Sequence, residues 1–171
     1  MTEVFRESGY DGTTLSKLMV GTGLERASLY HYFPGGKTAM AAAVLQDVLG
    51  QLREDVLSAL SADAPPKERI ANMLDATDAF YNGGNDLCFI SIFAVGVNDE
   101  GLSAALQSAV AGWLEALEAT LSDAGVLGAE ELAHAALSCV QGGLVLAASQ
   151  NDPRPFQHAL KHLRASLVPA G

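Results

Sequence analysis

The sequence predicts an all-α protein, and three observations carry that prediction. Apolar residues recur at intervals of three and four along most of the chain, strand-like alternation is scarce, and turn-forming residues fall between the periodic segments rather than inside them. With 171 residues, 49% of them hydrophobic and 18% charged, the chain can bury a sizeable core. That length fits one domain, or one small module joined to a larger one.

Taken in order, the elements are legible from their punctuation. Gly9 and Gly12 bracket a turn, after which Thr14 stands as the N-cap of a short amphipathic helix through Val20. Leu15, Leu18 and Met19 supply its buried face. Gly21-Thr22-Gly23 breaks that helix, a second short one runs from Leu24 to Phe33, and Pro34-Gly35-Gly36 ends it. Helices this short are marginal alone and must be held by packing, for which Leu24, Leu29 and Phe33 are available. Two short helices joined by a glycine turn describe a helix-turn-helix.

Beyond the turn, Val44, Leu45, Val48, Leu49, Leu52, Val56, Leu57 and Leu60 stripe a long helix from about Gly36 to Leu60. Ile70, Met73, Leu74, Thr77 and Phe80 mark another, begun by Pro65-Pro66 and stopped by Asn82-Gly83-Gly84. Leu102, Leu106, Val110, Trp113, Leu114, Leu117 and Leu121 place a helix over 101–123. A further helix spans 129–149 between Gly128 and Asn151-Asp152-Pro153, and a last one spans 154–167.

Charge and motifs exclude several function classes. The formal charge of −10 is not that of a protein coating nucleic acid by bulk attraction. Residues 1–45 are balanced, however, with Arg6, Lys17, Arg26 and Lys37 against Glu3, Glu7, Asp11 and Glu25, so the excess lies beyond them. The stretch GGKT at 35–38 resembles the end of a phosphate loop, but the first glycine of that motif would fall on His31 and no strand precedes it. No serine-nucleophile motif occurs, His158 and His162 have no third metal ligand, and Cys88 and Cys139 have neither metal spacing nor a disulfide framework. The expectation is therefore no enzyme, no cofactor and no metal. The longest apolar run, at 87–97, is too short to span a bilayer, and Glu3, Arg6 and Glu7 are unlike a signal peptide, so a cytoplasmic protein without a membrane partner is expected.

On the second short helix, Arg26, Ala27, Ser28, His31 and Tyr32 are free to project outward. The small ones let the backbone approach a groove floor, and Arg26, Ser28 and His31 can bond base edges or phosphates. The same residue types also populate an ordinary solvated face. What separates the two readings is the whole pattern: Phe5, Glu7, Gly9, Tyr10, Thr13, Thr14, Gly21 to Leu24, Arg26, Ser28 to Phe33 and Lys37. That pattern closely resembles the DNA-binding domain of TetR-type transcriptional repressors. The extra glycine in YHYFPGGK and the segment Gln141 to Gln157 resemble the LmrA/YxaF-like subgroup.

The resemblance implies an N-terminal three-helix helix-turn-helix DNA-binding domain at 1–45, its first helix truncated at Met1. A helical ligand-binding and dimerisation domain follows at 46–171. Arg26, Ala27, Ser28 and His31 would lie in the major groove, with Thr14, Lys17, Tyr30, Tyr32 and Lys37 completing the DNA-binding set, largely at phosphates. The implied function is a ligand-released repressor that binds a near-palindromic, double-stranded operator as a homodimer. Two departures stand out: Lys17 occupies a position where the family carries an acidic residue, and Glu25 replaces a serine or threonine at the start of the recognition helix. The balanced charge of residues 1–45 and the shortened start motivate an alternative, a small-molecule or protein binder of the same fold with weakened or lost DNA binding.

In the second domain the resemblance places the dimer seam on the helices near 101–123 and 129–149, where Ala133, Ala136, Ala147, Ala148, Gly142 and Gly143 permit close approach; the same face could pack internally. A hydrophobic small-molecule effector would meet Phe80, Tyr81, Cys88, Phe89, Ile92, Phe93, Trp113 and Leu117, residues that serve equally well as ordinary core.

Overall fold

Most of the punctuation residues fall at helix ends, while Gly9, at φ 66° and ψ 178°, breaks the winding inside the first helix. The computed structural model describes residues 1–94 and 99–168, and no strand occurs among the described residues. The helices are α1 (Thr2–Gly12), α2 (Leu15–Thr22), α3 (Arg26–Tyr32), α4 (Gly36–Gln51), α5 (Pro66–Phe80), α6 (Phe89–Ala94), α7 (Glu100–Asp123), α8 (Ala129–Gln150) and α9 (Arg154–Leu167). Local chemistry explains their limits. The Thr14 hydroxyl accepts from the Lys17 N–H at the head of α2, Pro66 sits in the first turn of α5, and Asn151 closes α8 in the left-handed conformation.

The long helix expected from Gly36 to Leu60 keeps its direction of burial but changes its winding. It is α-helical only to Gln51, then π-helical over Leu52–Val56 and 3-10 over Leu57–Ser61. Leu52, Val56 and Leu60 are all buried and lie four residues apart. α6 lies in the apolar run at 87–97, of which residues 95–97 are outside the described residues.

The chain divides into two compact units, Met1–Gly50 with Phe89–Ser108, and Gln51–Cys88 with Ala109 onward. The first therefore reaches past residue 45 and takes in α6. The reason is aromatic packing: Phe93 is 1% exposed and its ring lies 5.8 Å from Phe5, 6.2 Å from Tyr10 and 5.9 Å from Phe89. Phe5, Leu18, Leu29 and Met40 are fully buried in the same unit.

In the second unit, Trp113, Leu117, Leu121, Ile70, Leu74, Val140, Leu144 and Phe156 are buried. Arg69 binds the Leu60 carbonyl at 2.9 Å and the Asp123 carboxylate at 2.7 Å, and Arg164 on α9 pairs with Asp75 on α5. α8 and α9 touch at Gly143, where an added Cβ would stand 3.0 Å from both the Phe156 Cα and the Ala159 Cβ. A side chain there would have to push those neighbours back by a few tenths of an ångström. The small-residue stripe is thus divided by packing: Ala133, Ala136, Gly143 and Ala147 are buried within the chain, whereas Gly142 and Ala148 face outward. Apolar over most of its 22 residues, α8 has the length and composition of a membrane span, a property it shares with core helices that are covered on more than one face.

Candidate nucleic-acid interface

The turn between α2 and α3 is built by Thr22 and Gly23. Thr22 donates to the Leu18 carbonyl at 2.7 Å and accepts from the Leu24 N–H at 3.2 Å, while Gly23 adopts φ 70°, which side chains disfavour. The chain then enters α3 with Glu25 as N-cap residue, and the Glu25 carboxylate makes no cap hydrogen bond.

α3 has seven residues, of which Leu29 is buried. Leu24 does not share that burial as the sequence analysis expected: it is 38% exposed, because the helix starts two residues later and Leu24 belongs to the turn. Phe33 is half-buried as the C-cap. With Leu29 as the anchor, Arg26, Ala27, Tyr30, His31 and Tyr32 are exposed and Ser28 is half-buried. The Arg26 guanidinium lies 5.8 Å from the Tyr30 ring centroid, and the His31 and Tyr32 rings meet edge to face at 5.5 Å. These contacts restrict the rotamers of the long side chains on the outward face.

Thr14 is exposed at the α2 N-terminus, where its hydroxyl already holds the Lys17 N–H at 3.3 Å. The Lys17 ammonium donates to the Gly12 carbonyl at 2.9 Å and to the Ser8 hydroxyl at 3.0 Å. Lys37 donates to the Tyr10 carbonyl at 3.0 Å. Tyr10 was legible only as part of a motif; its role became visible through this bond and through the bond its hydroxyl shares with Thr38 at 3.0 Å.

Of the residues expected at an effector site, Phe89, Ile92 and Phe93 belong to the first unit, and Phe89 and Phe93 are engaged in its aromatic packing. Phe80, Tyr81, Cys88, Trp113 and Leu117 belong to the second. Tyr81 brings three of these together: its ring lies 5.1 Å from that of Phe80 in an edge-to-face contact, and its hydroxyl lies 3.4 Å from the Cys88 sulfur. Trp113 and Leu117 are buried on α7. Among the described residues no group of three or more His, Cys, Asp or Glu converges on a metal position.

Two family models match the chain. The model of bacterial regulatory proteins of the tetR family matches residues 2–44, and that of the LmrA/YxaF-like transcriptional regulator C-terminal domain matches residues 66–162. The HTH-type transcriptional regulator LmrA of Bacillus subtilis is 24% identical over 163 residues, spanning 92% of this chain and 87% of its own. A TetR regulator from Legionella pneumophila has a similar structure, with a TM-score of 0.83 at 22% identity over 96% of this chain and 91% of that one. FadR from Bacillus subtilis, solved in complex with stearoyl-CoA, gives a TM-score of 0.74 at 17% identity over 98% and 94%.

Proposed function

This chain belongs to the TetR family of helix-turn-helix transcriptional regulators, with an LmrA/YxaF-like C-terminal domain, and on that premise we propose that it is a ligand-released repressor that binds a near-palindromic operator as a homodimer. The observation that carries the reading is the exposed face of α3, with Arg26, Ala27, Tyr30, His31 and Tyr32 projecting from a helix anchored by Leu29. Arg26 is suited to a guanine edge, Ser28 and His31 to bases or phosphates, and Tyr30, Tyr32 and the α2 N-terminus at Thr14 to phosphates. Such a regulator works in the cytoplasm and does no chemistry on its ligands.

Dimerisation is assigned to α7 and α8. The outward face of α8 supports this, since Gly142, Val145, Leu146 and Ala148 are exposed and uncharged, and Val145 and Leu146 are 52% and 51% accessible. Two copies would present their α3 helices to half-sites about 34–36 Å apart, one helical turn. The effector is a hydrophobic small molecule, for which Phe80, Tyr81, Cys88, Trp113 and Leu117 supply apolar contacts and one hydroxyl. A long acyl chain, of the kind seen in FadR, fits that chemistry.

Selection from a random-sequence duplex pool, followed by gel-shift titration of the winner over a salt series, tests the reading. The expected outcome is an inverted-repeat consensus bound with a steep salt dependence. Failure to enrich any sequence would instead support a binder of the same fold that does not read DNA.

A further inference from the structure

α1 ends in carbonyls that lack helical donors, and nearby groups meet each of those at Gly9, Tyr10 and Gly12. The Thr13 hydroxyl donates to the Gly9 carbonyl at 2.6 Å, and the Thr13 backbone N–H donates to that of Tyr10 at 3.3 Å. Lys37, from the start of α4, adds a second donor to Tyr10 at 3.0 Å, and Lys17, from α2, donates to Gly12 at 2.9 Å. The Lys37 ammonium also lies 4.5 Å from the Tyr10 ring centroid, and the Tyr10 hydroxyl is bonded to Thr38, the next residue of α4.

We propose that Lys37, assisted by Lys17, is a positioning residue of the DNA reader, clamping the C-terminal end of α1 to α4 and α2 instead of meeting phosphate itself. This rests on the DNA-binding reading above. Gly9, at φ 66° and ψ 178°, breaks the helical winding of α1, so the Tyr10 and Gly12 carbonyls lie past that kink and, lacking helical donors, accept charge-assisted bonds from the two lysines. Lys37 has two attractive partners on Tyr10, its carbonyl and its aromatic face. An ammonium that swung away to reach a phosphate would give up both. Lys17 is half of the same device, and its exposed ammonium spends two of its three donors on α1. An acidic residue at 17 would turn a negative charge toward the Gly12 carbonyl and could not serve. The clamp therefore sets the angle at which α2 and α3 leave α1, and with it the fit of the recognition helix in the groove.

Lys37→Met and Lys17→Met, with Lys37→Arg as the conservative variant, are titrated against the selected duplex and a scrambled duplex at several KCl concentrations, with the melting temperature of each recorded. The clamp predicts that Lys37→Met weakens the selected duplex about tenfold, as loss of a charge-assisted bond implies, and the scrambled duplex much less. The slope of log K against log salt stays at the wild-type value, Lys17→Met shows a smaller effect of the same kind, and Lys37→Arg recovers most of the loss. A phosphate role is the opposite result: both duplexes weaken alike and the slope falls by about 0.9. A purely structural role is a lowered melting temperature with both affinities unchanged while the protein remains folded. Either overturns the proposal. A wild-type protein that enriches no duplex removes the DNA-binding reading and the positioning role with it, whereas a wild type that binds while its lysine variants show a reduced slope removes the clamp alone.

Discussion

Leu29→Ala is the most informative single perturbation of the interface, because α3 has seven residues and depends on that side chain for burial. Isolated helices shorter than about 12 residues are marginal in water, so docking, not propensity, keeps α3 formed. Leu29 is 0% exposed. Truncation to Ala removes three carbons, about 2.4 kcal/mol at roughly 0.8 kcal/mol per buried methylene, and the cavity left behind raises the loss to about 3 kcal/mol. Such a loss multiplies the undocked population of α3 about a hundredfold. It stays below the roughly 5–15 kcal/mol that holds a typical domain together, so the rest of the protein remains folded. Hydrogen exchange read at peptide level provides the assay. Amides bonded along α3, among them Leu29 to Glu25 and Phe33 to Leu29, lose about a hundredfold in protection, while those of α8 hold theirs. Affinity for the selected duplex falls in parallel. Protection of α3 within threefold of wild type, with α8 likewise unchanged, would refute the claim that one buried leucine docks the helix.

Three further outcomes are expected. Arg26→Ala relaxes the preference at one operator base pair by about 1–3 kcal/mol, read by competition with single-base operator variants, with little change elsewhere in the site. Gly143→Val forces β-branched atoms into a gap where even a Cβ lies 3.0 Å from the α9 backbone, costing about 1–3 kcal/mol in chemical denaturation, whereas Gly142→Ala, with no neighbour within 4 Å in the chain, gains about 0.5–1 kcal/mol from helix propensity. Asp152 accepts from the Arg154 N–H and guanidinium at the head of α9, which holds its carboxyl below the usual carboxylate range. A carboxyl depressed in the folded state stabilises above its unfolded pKa and loses that contribution as pH falls through the folded one. The melting temperature of Asp152→Asn is accordingly lower than wild type at neutral pH, and the difference closes as the solution is acidified.

The ends of the helices were readable residue by residue because their causes are local. Thr14 caps α2 with its own hydroxyl, Gly23 takes up the left-handed turn, and Pro66 opens α5, each acting within one helical turn of itself. The outward face of α3 was readable too, since Arg26, Ala27, His31 and Tyr32 follow from the position of Leu29 and the helical period. Less of the set around it was readable. Nothing in the spacing distinguishes a lysine that waits for phosphate from one already bonded to a carbonyl 27 residues away, as Lys37 is to Tyr10.

The sequence by itself determined most of the helical segments, where the helix-turn-helix lies and most of the residues its second helix turns outward, because capping, turn geometry and a 3.6-residue period act over a few bonds. α6 and the half-burial of Ser28 were not legible in it. Tertiary structure alone decided that Leu24 is exposed, that α6 joins the first unit through Phe93, that the winding leaves the α-helical form after Gln51, and that Gly143 packs inward while Gly142 looks out. These outcomes turn on which surfaces meet across long stretches of chain, and close packing leaves room for a Cβ or a ring at one neighbouring position but not the next.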